Sequence, residues 1–168
     1  MHHLNKLAPV LISSVVIIVI SLFPFLNFIN LACCAGVILG GASGTYFYSN
    51  QLKKNGEIIQ YKDGAAIGIL SGIISALVVV IFTTLLTMII HQNPIPQIYE
   101  IFDKQGITIP PEAEQFMQKI SGEYSKNGFS ITLTLITLGA DLISYPLFSA
   151  LGGLLAVTIF GRKKDAAQ

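Results

Sequence analysis

The residue best suited to chemistry is Asp141, the only ionisable side chain clearly inside one of the long apolar runs of the sequence. Ser144 and Tyr145 follow about one helical turn later, and Pro146 leaves a nearby backbone carbonyl without its helical donor. Carboxylates inside membrane spans are costly and face a water path, a bundle interior or a partner. This polar group therefore indicates a proton or ion relay, or a polar anchor for a ligand.

A second interpretation places Asp141 at a membrane surface. Its run covers residues 129–160, and about 32 helical residues span roughly 48 Å, which is longer than the hydrocarbon core. If Arg162 marks the cytoplasmic boundary, Asp141 lies about 31 Å away, near the outer interface. We expect Asp141 to be a hydrated carboxylate at this interface. No other charged residue lies deep in an apolar run, so a buried carboxylate would have no counter-charge.

The sequence contains no constellation of catalytic or cofactor-binding residues. His2 and His3 precede the first apolar run and His91 follows the third, so the histidines cannot all converge on one metal ion. The adjacent Cys33 and Cys34 lack the spacing of metal ligands. We expect both cysteines to be buried and to pack as small hydrophobic residues. The metalloprotease, nucleophile-elbow and phosphate-loop motifs are absent. The sequence thus predicts a non-enzymatic protein with no metal or cofactor.

Small residues recur at every fourth position along two of the apolar runs. Such stripes let helix backbones approach closely, which holds membrane helices together where lipid supplies no hydrophobic drive. We expect the stripes to pack the second and third spans against each other; the alternative is that one stripe faces a partner subunit. The helix-packing residues are Ala32, Gly36, Gly40 and Gly44 in one run and Gly64, Gly68, Gly72 and Ala76 in the other.

Long membrane helices are needed to position these residues. Hydrophobic residues make up 52% of the 168 residues and charged residues 11%, well to the apolar side of soluble proteins. A helix needs about 20 residues to cross the bilayer. The sequence therefore predicts an all-α, polytopic membrane protein with four transmembrane helices in a single domain, residues 1–168. The predicted spans are residues 7–26, 30–48, 65–90 and 129–160.

Basic residues give the predicted orientation, because they concentrate on the cytoplasmic side of membrane proteins. With four crossings, the basic sites of this chain fall on one face. We therefore expect a multi-pass protein of the bacterial inner (cytoplasmic) membrane with both termini inside. The basic sites are Lys6 before the first run, Lys53, Lys54 and Lys62 between the second and third, and Arg162, Lys163 and Lys164 after the fourth.

A cleaved leader is the alternative for the first run, because a polar start containing Lys6 precedes it. No small-residue cleavage site closes that run. A lipid-modified cysteine also fits poorly, since Asn30 stands where an apolar residue belongs before Cys33, and Cys33 itself precedes Cys34. We expect an uncleaved first span.

Residues 91–128 lie outside in this topology, and their pattern differs from that of a plain linker. Pro94 and Pro96 end the third helix, and apolar residues at helical spacing follow. Pro110 and Pro111 precede acidic residues, which is typical of a helix start. We expect two short amphipathic helices that lie on the membrane or over the bundle mouth; the alternative is a mobile loop.

The order of these features resembles a family of small four-span bacterial membrane proteins known only as a domain of unknown function. The resemblance rests on Lys62, Asp63 and Gly64 at the start of the third span, on Pro94 and Pro96, and on residues 146–164. It covers about the last two thirds of the chain. The family supplies no activity and no catalytic residues that could be transferred.

These observations favour a small accessory or scaffolding subunit of a membrane complex, or a homo-oligomer. Its expected partners are the lipid bilayer and other protein subunits or further copies of the chain. A net charge of +1 does not indicate nucleic-acid binding. The alternative function is a transporter or channel component that uses Asp141 in the fourth span.

Overall fold

The computed structural model describes residues 6–23, 34–90 and 93–161, and the regular structure within these ranges is entirely helical. The all-α prediction is confirmed for this part of the chain. Two short helices also occupy the segment between the third and fourth apolar runs, as predicted. The helices described are α1 (Leu7–Leu22), α2 (Ala35–Lys54), α3 (Tyr61–Ile90), α4 (Ile95–Lys104), α5 (Pro111–Asn127) and α6 (Ile131–Phe160).

Two of these helices, α3 and α6, are long and apolar enough to cross a membrane by length and composition. The apolar α1 contains 16 residues. The 20 residues of α2 include glycine, serine, threonine and asparagine, which lower its hydropathy. Two candidate spans therefore stand where the sequence predicts four.

The limits of the helices depend on capping residues and glycine more than on the hydropathy of the sequence. α2 continues to Lys54 and α3 begins at Tyr61, so both extend beyond the predicted spans into polar residues. At the start of α3, the Asp63 Oδ2 accepts the backbone N–H of Gln60 at 3.1 Å. A side chain three positions into a helix reaches back in this way in a capping box. Gly128, with φ of +76°, ends α5 in the left-handed conformation that glycine adopts readily.

The chain divides into two compact units. Unit 1 contains Met1–Val79 and Ala140–Gln168, and unit 2 contains Val80–Gly139. In unit 1 the Lys6 Nζ lies 2.6 Å from the Asp63 Oδ1, so α1 and α3 begin at the same end. The Ser49 hydroxyl donates to the Phe160 carbonyl at 3.5 Å near the ends of α2 and α6. Within unit 1, α1 and α3 therefore run in one direction and α2 and α6 in the other.

In unit 2, Glu123 on α5 caps the start of α6. Its carboxylate accepts the Ser130 hydroxyl at 2.6 Å, the Thr132 N–H at 2.9 Å and the Thr132 hydroxyl at 2.6 Å. The Ser130 Oγ in turn accepts the N–H of Leu133 at 3.1 Å, as an N-cap serine does. The bonds from Ser130 and Thr132 lower the pKa of Glu123 to about 2.

Candidate functional site

The polar group predicted around Asp141 lies in unit 1, on α6. Asp141, Ser144 and Tyr145 are all half-buried, and the Tyr145 hydroxyl donates to the Ser21 Oγ on α1 at 3.1 Å. Asp141 and Cys34, which precedes α2, both lie close enough to Tyr145 to act on it electrostatically. The structure thus keeps the predicted residues on one segment of α6 and adds Ser21 and Cys34, which no sequence pattern indicated.

This group contains a single carboxylate, and its other members carry hydroxyl and thiol groups. Within the described ranges, no hydrogen bond or ion pair reaches Asp141. A carboxylate beside a phenol offers acceptor atoms to a cation or to a hydrogen-bond donor. No second carboxylate and no histidine or lysine from those ranges is recorded in contact with it. The arrangement suits the binding of a positively charged group better than acid–base catalysis.

The small-residue stripe of α2 faces α1, whereas the sequence predicts contact with α3. A Cβ added to Gly40 would contact the side chain of Ile17, and one added to Gly44 would lie 2.6 Å from the Ser13 Cβ. The same atom at Gly44 would lie 3.4 Å from Ile67 of α3, which is ordinary contact. The structure corrects the predicted partner because four-residue spacing defines a face of a helix but not the neighbour that covers it.

The stripe of α3 faces α6. A Cβ added to Gly68 would lie 2.6 Å from the Ala150 Cα, and one added to Gly72 would lie 2.5 Å from the Pro146 N. Gly64 meets the α6 backbone in the same way. Because backbone atoms cannot rotate aside, glycine is required at these crossings for the helices to approach this closely. The remaining described members of the two stripes, Gly36 and Ala76, are also buried.

A network of buried serine hydroxyls lies among these helices, and sequence reasoning missed it. Ser13, Ser71 and Ser149, from α1, α3 and α6, are each 0% exposed. The single proton of the Ser13 hydroxyl is donated to the Gly40 carbonyl at 2.7 Å or to the Ser71 Oγ at 2.9 Å. The Ser71 and Ser149 hydroxyls lie 3.1 Å apart. Buried hydroxyls are costly unless hydrogen-bonded, so this network favours one alignment of the four helices.

An ion pair at the basic end of unit 1 was also missed. The Asp63 side chain is 13% exposed and that of Lys6 is 38% exposed, and Lys6 Nζ also lies 6.0 Å from the centre of the Tyr48 ring. The two charged residues stand 57 positions apart, so no local pattern indicates the pair. This contact joins the beginnings of α1 and α3 beside α2.

The prediction for Cys34 is wrong, and several other predictions concern residues that the structure does not describe. Cys34 is half-buried and adopts a φ of 58° before α2, so it is not the buried hydrophobic residue that the sequence predicts. Further predictions fall on residues outside the described ranges. These are His2, His3, Ala32, Cys33, His91, Arg162, Lys163 and Lys164.

Known proteins add no functional assignment to this site. Comparison of the chain with protein-family models, with curated proteins and with solved structures finds no match. The resemblance to a four-span family of unknown function stays a prediction. The geometry of the described residues is therefore the basis for a function.

Proposed function

We propose that this chain is an integral membrane protein that acts, without enzymatic activity, as a small accessory or scaffolding subunit of a membrane complex or as a homo-oligomer. One observation carries the proposal. In unit 1 many large apolar side chains are exposed, while glycine and serine are buried at the helix crossings beside an apolar core that includes Ile17 and Ile67. A water-soluble bundle would bury more of its large apolar side chains and expose polar ones.

Two apolar ridges lie on the exterior of unit 1. One ridge follows α6 and its members are between 46% and 72% exposed; the other follows α1 and is between 41% and 60% exposed. Soluble monomers rarely expose continuous apolar surfaces of this kind, whereas lipid solvates them. The ridges consist of Ile143, Leu147, Leu151, Leu155 and Ile159 on α6, and of Leu7, Leu11, Val15 and Val19 on α1.

We extend the proposal to four crossings of the bacterial inner membrane with both termini in the cytoplasm. The antiparallel course of the four helices of unit 1 supports it, since each helix would cross in the direction opposite to the one before it. Lys6, Lys53, Lys54 and Lys62 stand at the end where α1 and α3 begin and α2 ends, and basic residues concentrate on the cytoplasmic side.

An accessory role is supported by the chemistry that the described side chains offer. Five stripe glycines are used for packing within the chain, and the exposed apolar surfaces, including the two ridges, are available to lipid and to other subunits. Purification in native lipid discs followed by mass measurement tests this role. We expect the 18.1 kDa chain to be recovered in a larger protein assembly, of one or several subunit types. Recovery as a monomer at cellular expression levels would contradict it.

A transporter or channel component is the second candidate, and the surroundings of Asp141 favour it. Asp141 is half-buried beside the Tyr145 to Ser21 hydrogen bond, and Pro146 lies inside α6 just beyond Tyr145. The two candidates differ in a flux assay on reconstituted vesicles. Proton or cation flux that is lost in Asp141→Asn would favour the transporter, and absence of flux in the wild-type protein would favour the scaffold.

A further inference from the structure

Unit 2 contains a cavity whose wall is rich in hydroxyl groups. Its volume is about 180 Å³, and it lies between the last turns of α3, the first turns of α6 and the end of α5. On α3 the threonines occupy positions three and four apart, so they share one helix face. The hydroxyl groups belong to Thr83, Thr84 and Thr87 of α3, Thr134 and Thr137 of α6, and Tyr124 of α5.

Two of these hydroxyls present acceptor atoms to the cavity. Thr87 donates its proton to the Thr83 carbonyl at 2.8 Å, and Thr134 donates to the Ser130 carbonyl at 2.8 Å. A threonine oxygen whose proton is held by its own helix keeps lone pairs for a ligand's O–H or N–H. Within the described ranges, Thr84 and Thr137 make no hydrogen bond and can both donate and accept.

Tyr124 supplies a further donor, because a phenol is protonated at neutral pH, and burial raises its pKa further. The other described residues of the wall, Val80, Phe129 and Leu133, are apolar. Among the residues that the structure describes, no acidic or basic side chain lines the cavity. A charged ligand would therefore lose its hydration without gaining a counter-charge, whereas a neutral ligand with hydroxyl groups would find both donors and acceptors.

The volume of the cavity limits the size of the ligand. A cavity of about 150 Å³ holds benzene, which has the same number of non-hydrogen atoms as glycerol. A second cavity of about 220 Å³ shares Thr87 and Tyr124 with the first and reaches the amide side chains of Asn93 and Gln97. A ligand with a substituent on its polyol group could therefore extend from one cavity into the other.

We propose that the threonine-lined cavity of unit 2 binds a neutral polyol group of about the size of glycerol. The threonine oxygens accept its hydroxyl protons, Tyr124 and Thr137 donate to its oxygens, and the apolar side chains contact its carbon skeleton. The group belongs either to a free polyol or to the headgroup of an uncharged glycerolipid. This binding is additional to the scaffolding role and does not depend on it.

The test uses the full chain in lipid discs made of phosphatidylcholine alone, with no sugar-based detergent present. Glycerol binding is measured by saturation-transfer nuclear magnetic resonance, and monoacylglycerol binding by native mass spectrometry. The double variant Thr84→Val with Thr137→Val removes two hydroxyls while keeping the side-chain shape. We expect it to bind about tenfold more weakly, the change that follows from losing one or two neutral hydrogen bonds.

Two further variants separate binding from folding. Thr84→Ser with Thr137→Ser keeps both hydroxyls and should bind like the wild-type chain. Thr158→Val removes an exposed hydroxyl of α6 that donates to the Leu154 carbonyl at 3.0 Å outside the cavity, and it should also leave binding unchanged. Saturable binding of glycerol identifies a free polyol, and saturable binding of monoacylglycerol alone identifies a lipid. Absence of saturable binding for both probes, or equal binding by the wild-type chain and the valine variant, would overturn the proposal.

Discussion

The crossing of α3 and α6 at Gly68 leads to a specific prediction for Gly68→Ala. The added methyl carbon would lie 2.6 Å from the Ala150 Cα and 2.7 Å from the Ala150 N. Carbon atoms in favourable contact are about 3.5–4.0 Å apart. Because the nearest atoms belong to the backbone, no side-chain rotation relieves the overlap and the two helices must separate. Gly139→Ala is the matched control, since nothing lies within 4 Å of its added Cβ.

The expected magnitude combines two effects. Replacing glycine by alanine inside a helix favours folding by about 0.5–1 kcal/mol, and both variants receive this contribution. Overpacking a filled interior costs about 1–3 kcal/mol, and only Gly68→Ala incurs it. We therefore expect the free energy of unfolding of Gly68→Ala to lie about 1–3 kcal/mol below that of Gly139→Ala.

Unfolding in mixed micelles with increasing sodium dodecyl sulfate, followed by far-ultraviolet circular dichroism, measures this difference. The two alanine variants are compared under the same lipid and detergent conditions. If Gly68→Ala and Gly139→Ala unfold at the same detergent fraction, the close approach of α3 and α6 does not exist as described.

Three further predictions use the same titration. Ser71→Ala should lower the free energy of unfolding by about 1–3 kcal/mol, because the buried hydroxyls around it lose a partner; an unchanged midpoint would remove the network's role. A double-mutant cycle with Lys6→Ala and Asp63→Asn should give a coupling of about 1 kcal/mol, since one partner is partly exposed, and additive effects would argue against the pair. For Glu123, whose pKa falls from 4.5 to about 2 on folding, the stabilisation is complete above pH 4.5 and is lost as the pH falls through about 2. Glu123→Gln should abolish this acid dependence and Glu112→Gln should not, as pH-dependent unfolding of the two variants would reveal.

The short helices of unit 2 could be predicted because local chemistry determines them. Proline fixes the backbone for a first helical turn, and α4 and α5 begin at Ile95 and Pro111, directly beside the prolines that the sequence indicated. The limits of α2 and α3 could not be predicted as well. Hydropathy marks where a helix would lie in lipid, and both helices continue past that point into polar residues.

The contacts between helices required the structure. The rhythm of Gly64, Gly68 and Gly72 indicated a packing face, but nothing in the rhythm selected α6 as its partner. Serine in an apolar run is close to neutral in any hydropathy pattern, so the bond between Ser13 and Ser71 left no signal. Likewise, the group around Asp141 could be predicted along α6 alone, since the hydrogen bond to Ser21 joins residues 124 positions apart.

The proposal that the chain crosses the membrane four times, starting from the cytoplasm, is tested most directly by measuring on which side of the membrane individual residues lie. In a background carrying Cys33→Ser and Cys34→Ser, Asn55→Cys places one thiol at the exposed turn after α2, and Gln105→Cys places one at the exposed end of α4. In intact cells, a membrane-impermeant maleimide should label Gln105→Cys and should reach Asn55→Cys only after the membrane is opened. Labelling of Asn55→Cys in intact cells, or protection of Gln105→Cys, would contradict the proposed topology.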